Sequence, residues 1–434
     1  MQSPIPNPHS SIQSLQSKFQ NSQSPIPNLK FPSKVLFLTH CFIRNKDDFA
    51  GAFLFDLAKG LKDKGIGITV LAPHSKGLPK YEEIENIKIY RFQYAPEKYE
   101  YLAYKSNMHE IVAKGFFSKL IFFSFAFYFF KNAIDITKKH NIKIIHSHWW
   151  VPAGVIGLVV GKLSGKPYVV TSHGTDISLL AKIKLARPLA KLVFNNSKAI
   201  TAVSSNMKSF MVNKLGINES KVSVFPMPVN PYMFYPMVIK RGDEKIILSV
   251  GNFIELKGFS YLISAIKILK SKDIKIKLII IGGGPGEKAL KQEIKELELN
   301  ENIEILPSMA KTELNRFYNL CNIFVLPSIT DSKGKQEGLG LVLLEAMSCK
   351  KPVIGTNSGG IPDIVKDMET GLLVPEKDSK ALAEAIEKVL KNDSLSTKLA
   401  ENGYNFVKQN FTLDKIAEKT LETYLMPNII VVKR

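Results

Sequence analysis

Cysteine is scarce in this 434-residue chain. Cys41, Cys321 and Cys349 are scattered, odd in number and without a CxxC pair. That pattern excludes a disulfide framework and a cysteine zinc site, and it fits a reducing cytosol. Arginine is scarcer still for so basic a protein. Only Arg44, Arg91, Arg187, Arg241, Arg316 and Arg434 contribute to 59 Lys+Arg, set against 39 Asp+Glu for a net charge of +20. Base-edge and bidentate phosphate contacts favour arginine, so the lysine excess reads as compositional bias or attraction to an anionic membrane, and no nucleic-acid partner is expected. No apolar run reaches the ~18 residues that a membrane-spanning helix needs. No GxGxxG follows the first strand, which removes the dinucleotide fingerprint.

What is present is an ordinary globular composition, 45% hydrophobic and 23% charged, with room for two or three domains. Residues 1–33 form a Gln/Ser/Pro/Asn tract with a short duplication, Ser3-Pro-Ile-Pro-Asn7 and Ser24-Pro-Ile-Pro-Asn28, and are expected to be disordered. From Val35 apolar strands alternate with helical segments. The strands read as 35–39, 66–71, 143–146, 168–171 and 199–203, an N-terminal domain over 34–225. A segment with four prolines, Phe225 to Pro236, cannot sit inside central strands or helices and reads as a linker, 226–240. The alternation then restarts over 241–410, and 411–434 closes the chain with a helix and tail. Such alternation predicts an α/β protein of two doubly wound parallel sheets, with ligands at the carboxyl ends of strands in the cleft between them. Phe116 to Phe130 stands apart, with nine aromatics beside lysines. It reads either as a core helix or as an interfacial helix against anionic lipid.

Several residues could carry chemistry. Gly282-Gly-Gly-Pro-Gly286 follows a strand and opens a helix, so its amides could receive an anion, or it is an ordinary turn. Glu337-Gly-Leu-Gly-Leu-Val-Leu-Leu-Glu345 places two carboxylates eight residues apart, a little over two turns if helical. On that reading they lie on a similar face and grip two ends of a polyhydroxyl ligand. His173 precedes Gly174 at a strand end, while His146 and His148 share a strand face without a third ligand at sensible spacing, so no metal is expected.

These strings resemble glycosyltransferase family 4, retaining enzymes of the GT-B architecture with two Rossmann-like domains facing across a cleft. The resemblance is carried by Gly251-Asn-Phe-Ile-Glu-Leu-Lys257-Gly258, Gly282-Gly-Gly-Pro285, the Glu337-to-Glu345 string, Pro352-Val-Ile-Gly-Thr356, Gly359-Gly-Ile-Pro-Asp363 and Thr370-Gly-Leu-Leu-Val-Pro375. In the first half it rests on His146-Ser-His-Trp-Trp150 and Thr171-Ser-His-Gly-Thr-Asp176. It implies a nucleotide-diphosphate sugar donor, with UDP the first expectation, a saccharide, lipid-linked or small-molecule acceptor, and no cofactor. Glu337 would lie against the donor sugar, Glu345 would hold the ribose hydroxyls, and Lys257 would neutralise the diphosphate. Gly338, Leu339 and Gly340 would line the sugar, His173 would orient it, and Gly51, Gly282, Gly359 and Gly360 would offer donor contacts. Many relatives have an arginine where Asn252 stands, so one of two expected cations is missing. The first strand–helix loop, Phe49-Ala-Gly51, keeps one glycine where relatives often have two. A sugar-nucleotide epimerase of the same architecture and a non-catalytic nucleotide-sugar binder are the competing readings.

Overall fold

In a computed structural model of the protein, the structure describes residues 32–426 except 46, 47, 49, 50, 105–107, 114, 241 and 273. The polar tract expected to be disordered therefore lies almost wholly outside the described residues, as do Phe49 and Ala50.

The first sheet has eight strands in the order β3-β4-β2-β1-β5-β6-β7-β8. They are β1 (Lys34–Leu38), β2 (Gly67–Pro73), β3 (Tyr81–Ile84), β4 (Ile87–Phe92), β5 (Ile144–His148), β6 (Tyr168–Ser172), β7 (Ala199–Ala202) and β8 (Val222–Val224). All pairs are parallel except β3–β4 at one edge. Buried runs such as Val35–Leu38 and Tyr168–Ser172 form its centre because helices cover both faces of a parallel sheet, so a strand there needs no polar side. β3, β4 and β8 were not anticipated from the sequence. β3 is a half-exposed edge strand, Tyr-Glu-Glu-Ile, with no buried residue to mark it, and β8 is only three residues long.

The second sheet is fully parallel, in the order β11-β10-β9-β12-β13-β14. Its strands are β9 (Lys245–Val250), β10 (Ile276–Gly282), β11 (Ile303–Pro307), β12 (Ile323–Leu326), β13 (Val353–Thr356) and β14 (Leu372–Val374). The strand order reverses direction between β9 and β12, which splits the loops at their carboxyl ends and leaves a crevice.

The proline-rich segment does more than connect. The Val229 amide donates to the Phe411 carbonyl at 2.9 Å, and Val229 bridges Thr412. The last helix, Leu413–Leu425, then returns to the first sheet's side and packs on the helix Ala52–Asp63, so closely that a Cβ on Gly60 would lie 2.7 Å from the Leu413 carbonyl oxygen. Tyr424 is buried there, and its hydroxyl meets His146 Nδ1 at 2.8 Å. The helix Leu413–Leu425 thus braces the first sheet, a contact across 278 residues that no local pattern announces.

Helix Phe116–Lys139 resolves the aromatic stretch in an unexpected way. Ile121, Phe125, Phe129, Ala133 and Ile136 are buried, with Phe92 stacked on Phe129 at 4.6 Å. Phe116, Leu120, Phe123 and Phe127 are exposed on the other side. The core reading therefore holds for one face only. Contrary to the expectation from uninterrupted apolar runs, this 24-residue helix is, among the described residues, long and apolar enough by length and composition to cross a membrane, because Lys119 interrupts the apolar run but not the helix.

Candidate functional site

The site is assembled where β9 and β12 diverge. After β9 the chain passes Gly251 and Asn252 into a short turn, Glu255–Lys257, and then Gly258, whose φ of 64° only glycine adopts cheaply. A Cβ on Gly258 would lie 2.0 Å from the Pro327 carbonyl oxygen, so the two strand-end loops are in backbone contact. This approach brings Lys257 Nζ to 2.6 Å from Glu337 Oε2, and Ser328 Oγ donates to the same oxygen at 2.9 Å. Lys257 and Glu337 side chains are 14% and 12% exposed. Burial pushes the Glu337 carboxyl up, but the Lys257 ammonium and the hydrogen bonds from Lys257, Ser328 and the Gly338 amide outweigh it and hold it below the usual range. Glu337 is therefore an anion at neutral pH, paired with the one cation that sequence reasoning assigned to the diphosphate.

The paired glutamates do not share a helix face. The helix begins only at Leu341, after Gly340 with φ 91°, so Glu337 stands in the loop before it and Glu345 alone is helical. Glu345 accepts from Tyr318 Oη at 2.7 Å. It lines a small hollow with Asp56, Asn230 and Lys311 that shares Phe53 and Leu341 with the main cleft. Burial raises the Glu345 carboxyl and Asp56 adds to this, against the Lys311 charge and the Tyr318 hydroxyl. One carboxylate is thus clamped and the other is held under electrostatic tension next door.

The main cleft is about 360 Å³. Asn252, Lys257, Glu337, Gly338, Leu339 and Gly340 line it from the second sheet's side, and Phe53, His173 and Gly174 from the first. His173 Nε2 lies 3.1 Å from His148 Nδ1, and its ring packs against Trp149 with centroids 4.4 Å apart. Burial, then the neighbouring His146 and His40, pushes His173 well below its ordinary value, so it is neutral. The backbone amides of His173 and Gly174 donate to Asp176 Oδ1 at 3.2 and 3.1 Å, and the Trp150 amide to Oδ2 at 3.1 Å. Asp176 therefore fixes the strand-end loop that presents His173. The loop needs Gly174, with φ 109°, because a Cβ there would meet Met207 Cε at 2.9 Å and the Gly338 Cα at 3.4 Å.

The remaining predicted glycines are all packed against neighbouring backbone. Gly359 and Gly360 support the Glu337–Gly338 loop from behind: added Cβ atoms would lie 2.1 Å from the Glu337 carbonyl oxygen and 2.3 Å from that of Gly338. The Gly360 amide already donates to the Glu337 carbonyl at 3.0 Å. Gly282 is equally spoken for, since a Cβ would lie 2.0 Å from the Gly251 carbonyl oxygen. Gly51, with φ 78°, caps the helix carrying Phe53 and packs on the Phe42 backbone, where a Cβ would come within 2.6 Å of the Phe42 Cα. Gly51, Gly282, Gly359 and Gly360 are not part of the cleft wall.

Sequence reasoning missed Lys335. Its loop is folded by Asp331, whose Oδ1 accepts the amides of Lys333 and Lys335 at 2.9 and 2.7 Å, and Lys335 joins Asn252 and Lys257 in the lining of the same cleft. The loop is tied across the cleft by Asn206 Nδ2 donating to Gln336 Oε1 at 2.7 Å. The Asp-x-Lys-Gly-Lys spacing before Glu337 was the available signal. Among the described residues no three His, Cys, Asp or Glu side chains are grouped as a metal site.

Comparison with known proteins gives a consistent result. Residues 50–232 match the family model described as Glycosyltransferase Family 4, and residues 237–406 match Glycosyl transferases group 1. An uncharacterised glycosyltransferase of Methanocaldococcus jannaschii is 31% identical over 295 residues, 68% of this chain and 78% of that protein. A capsular polysaccharide biosynthesis glycosyltransferase of Staphylococcus aureus is 28% identical over 287 residues, 63% of this chain and 74% of its own. Sucrose-phosphate synthase from Thermosynechococcus elongatus superposes with a TM-score of 0.75 at 21% identity, covering 91% of this chain and 98% of that one, which shows the same fold.

Proposed function

The chain belongs to glycosyltransferase family 4 and has the GT-B fold, and from that premise we propose that it transfers a sugar, with retention, from a nucleotide-diphosphate donor to a saccharide acceptor in polysaccharide or glycolipid assembly. One observation carries the reading: a buried Lys257–Glu337 pair at the strand-order switch, facing a neutral His173 across a cleft of sugar-nucleotide size.

Breaking the donor's glycosidic bond leaves charge on the departing diphosphate. Lys257, with Lys335 in place of the absent arginine, stabilises that charge as it develops, while Asn252 supplies a neutral donor. Glu337 then accepts from sugar hydroxyls and keeps Lys257 oriented. Gly338 and Gly340 let the sugar approach the backbone. Glu345 takes the ribose hydroxyls, which would relieve the cost of its burial. In same-face substitution the leaving phosphate oxygen takes the acceptor hydroxyl's proton. His173, neutral and hydrogen-bonded to His148, positions the sugar and does not act as an acid.

A panel of labelled nucleotide sugars, uridine donors first, tests this. Slow release of nucleoside diphosphate and free sugar, lost in Glu337→Gln, supports transferase chemistry. Epimerised nucleotide sugar, or binding without turnover, would refute it.

A further inference from the structure

Three helices lie side by side on one face of the first sheet: Phe116–Lys139 packs on Val155–Ser164, which packs on Arg187–Asn196. Their outward faces are apolar. Phe116, Leu120, Phe123 and Phe127, spaced four, three and four apart, form one stripe, with Phe116 77% and Phe123 70% exposed. Val159 and Leu163 form a second. Leu185, 94% exposed, continues through Leu189 and Leu192 as a third. Each stripe has helical spacing, yet it points away from the core that Phe125, Phe129, Val160 and Val193 fill. Monomeric soluble proteins rarely expose apolar surface of this extent without a use for it.

Charge identifies the occupant. Along the three helices and the turn before the last stand Lys119, Lys131, Lys138, Lys139, Lys162, Lys184, Arg187 and Lys191, with Asp135 the only acid. A second copy of the chain would bring these cations against themselves. A bilayer rich in anionic headgroups would accept the apolar stripes and neutralise the rim together. We propose that this three-helix face of the N-terminal domain seats on an anionic lipid surface, lying in the interface and not spanning it. The buried face of Phe116–Lys139 is committed to the first sheet, so the helix has no second apolar face to give to a bilayer core. The position suits the cleft. A cavity of about 240 Å³ next to the donor cleft is walled by Glu110, just before the aromatic helix, and by Lys182, just before exposed Ile183 and Leu185.

Flotation of the full chain with equimolar phosphatidylglycerol–phosphatidylcholine vesicles, against phosphatidylcholine alone and across a salt series, tests the proposal. Binding should require the anionic lipid and weaken with salt. Phe123→Ser/Phe127→Ser and Leu185→Ser/Leu189→Ser should each reduce partitioning about tenfold or more, with unchanged thermal melts because all four residues are exposed. Three results overturn it: no binding to anionic vesicles at low salt, an effect confined to the Phe pair (which would mean one helix inserting alone), or a stable dimer that either pair of substitutions dissociates. Vesicle binding is independent of donor turnover, so either reading can fail while the other stands.

Discussion

Removing Lys257 should have two separable consequences. Lys257 and Glu337 are each largely buried and joined at 2.6 Å, so Lys257→Met leaves a carboxylate whose remaining partners among the described residues are Ser328 Oγ and the Gly338 amide. Stranding one member of a buried pair costs about 3–5 kcal/mol of stability. The same substitution withdraws a cation from the departing diphosphate in a partly dry cleft, about 3–4 kcal/mol in the barrier, or roughly 10²–10³ in kcat. A double variant distinguishes the two effects. Lys257→Met/Glu337→Gln removes both charges and should return stability to within about 1 kcal/mol of the parent, while turnover stays low. Urea unfolding and steady-state kinetics of the two singles and the double form the assay. A Lys257→Met enzyme within a few-fold of the parent kcat, or activity that recovers in step with stability, would refute the assignment of Lys257 to the leaving group.

Lys335→Ala should lower kcat/KM about tenfold and Asn252→Ala only a few-fold, because a charged donor to phosphate is worth more than a neutral one. Adding Asn252→Arg to Lys335→Ala should restore donor turnover, and no rescue would place Lys335 away from the phosphates. Glu345→Gln should weaken nucleotide affinity about tenfold in calorimetry, yet raise the melting temperature at neutral pH. The sign follows from its raised folded value: the unfolded carboxyl ionises near 4.5 while the folded one resists, so the cost is absent in acid and grows as pH rises through that range. An unchanged melting temperature at pH 7 would contradict the direction. Burial depresses His146 to about 3 and His40 to about 4, and His148 and His173 are also held well down. Below pH 6.5 the unfolded chain takes up protons that these folded histidines refuse, so stability should fall by about 1.4 kcal/mol per pH unit for each such group. A urea midpoint that does not move between pH 7 and 5 would show the cluster to be hydrated.

The fold class was legible in the sequence because buried parallel strands are written as short apolar runs, and helices between them force the doubly wound arrangement. The same local text marked His173, Lys257, Glu337 and the glycines at strand ends, where only a residue without a side chain permits the backbone approaches seen at Gly174 and Gly258. It could not say what each glycine approaches. Gly282, Gly359 and Gly360 carry the same residue type as Gly338 and Gly340, but a Cβ on any of the three would lie within 2.3 Å of a carbonyl oxygen, whereas Gly338 and Gly340 line the cleft, and that distinction is a matter of three-dimensional neighbours. Spacing also misled at the glutamates, because a left-handed Gly340 starts the helix after Glu337 and sends the two carboxylates to adjoining hollows. Only tertiary structure joined Lys257 to Glu337 across 80 residues, brought Lys335 and Asn252 to one cleft, and closed Tyr424 onto His146. It also turned three separate leucine and phenylalanine stripes into one surface. Periodicity fixes which residues share a helix face, but which face the sheet covers depends on how the elements pack, and that is decided by the chain as a whole.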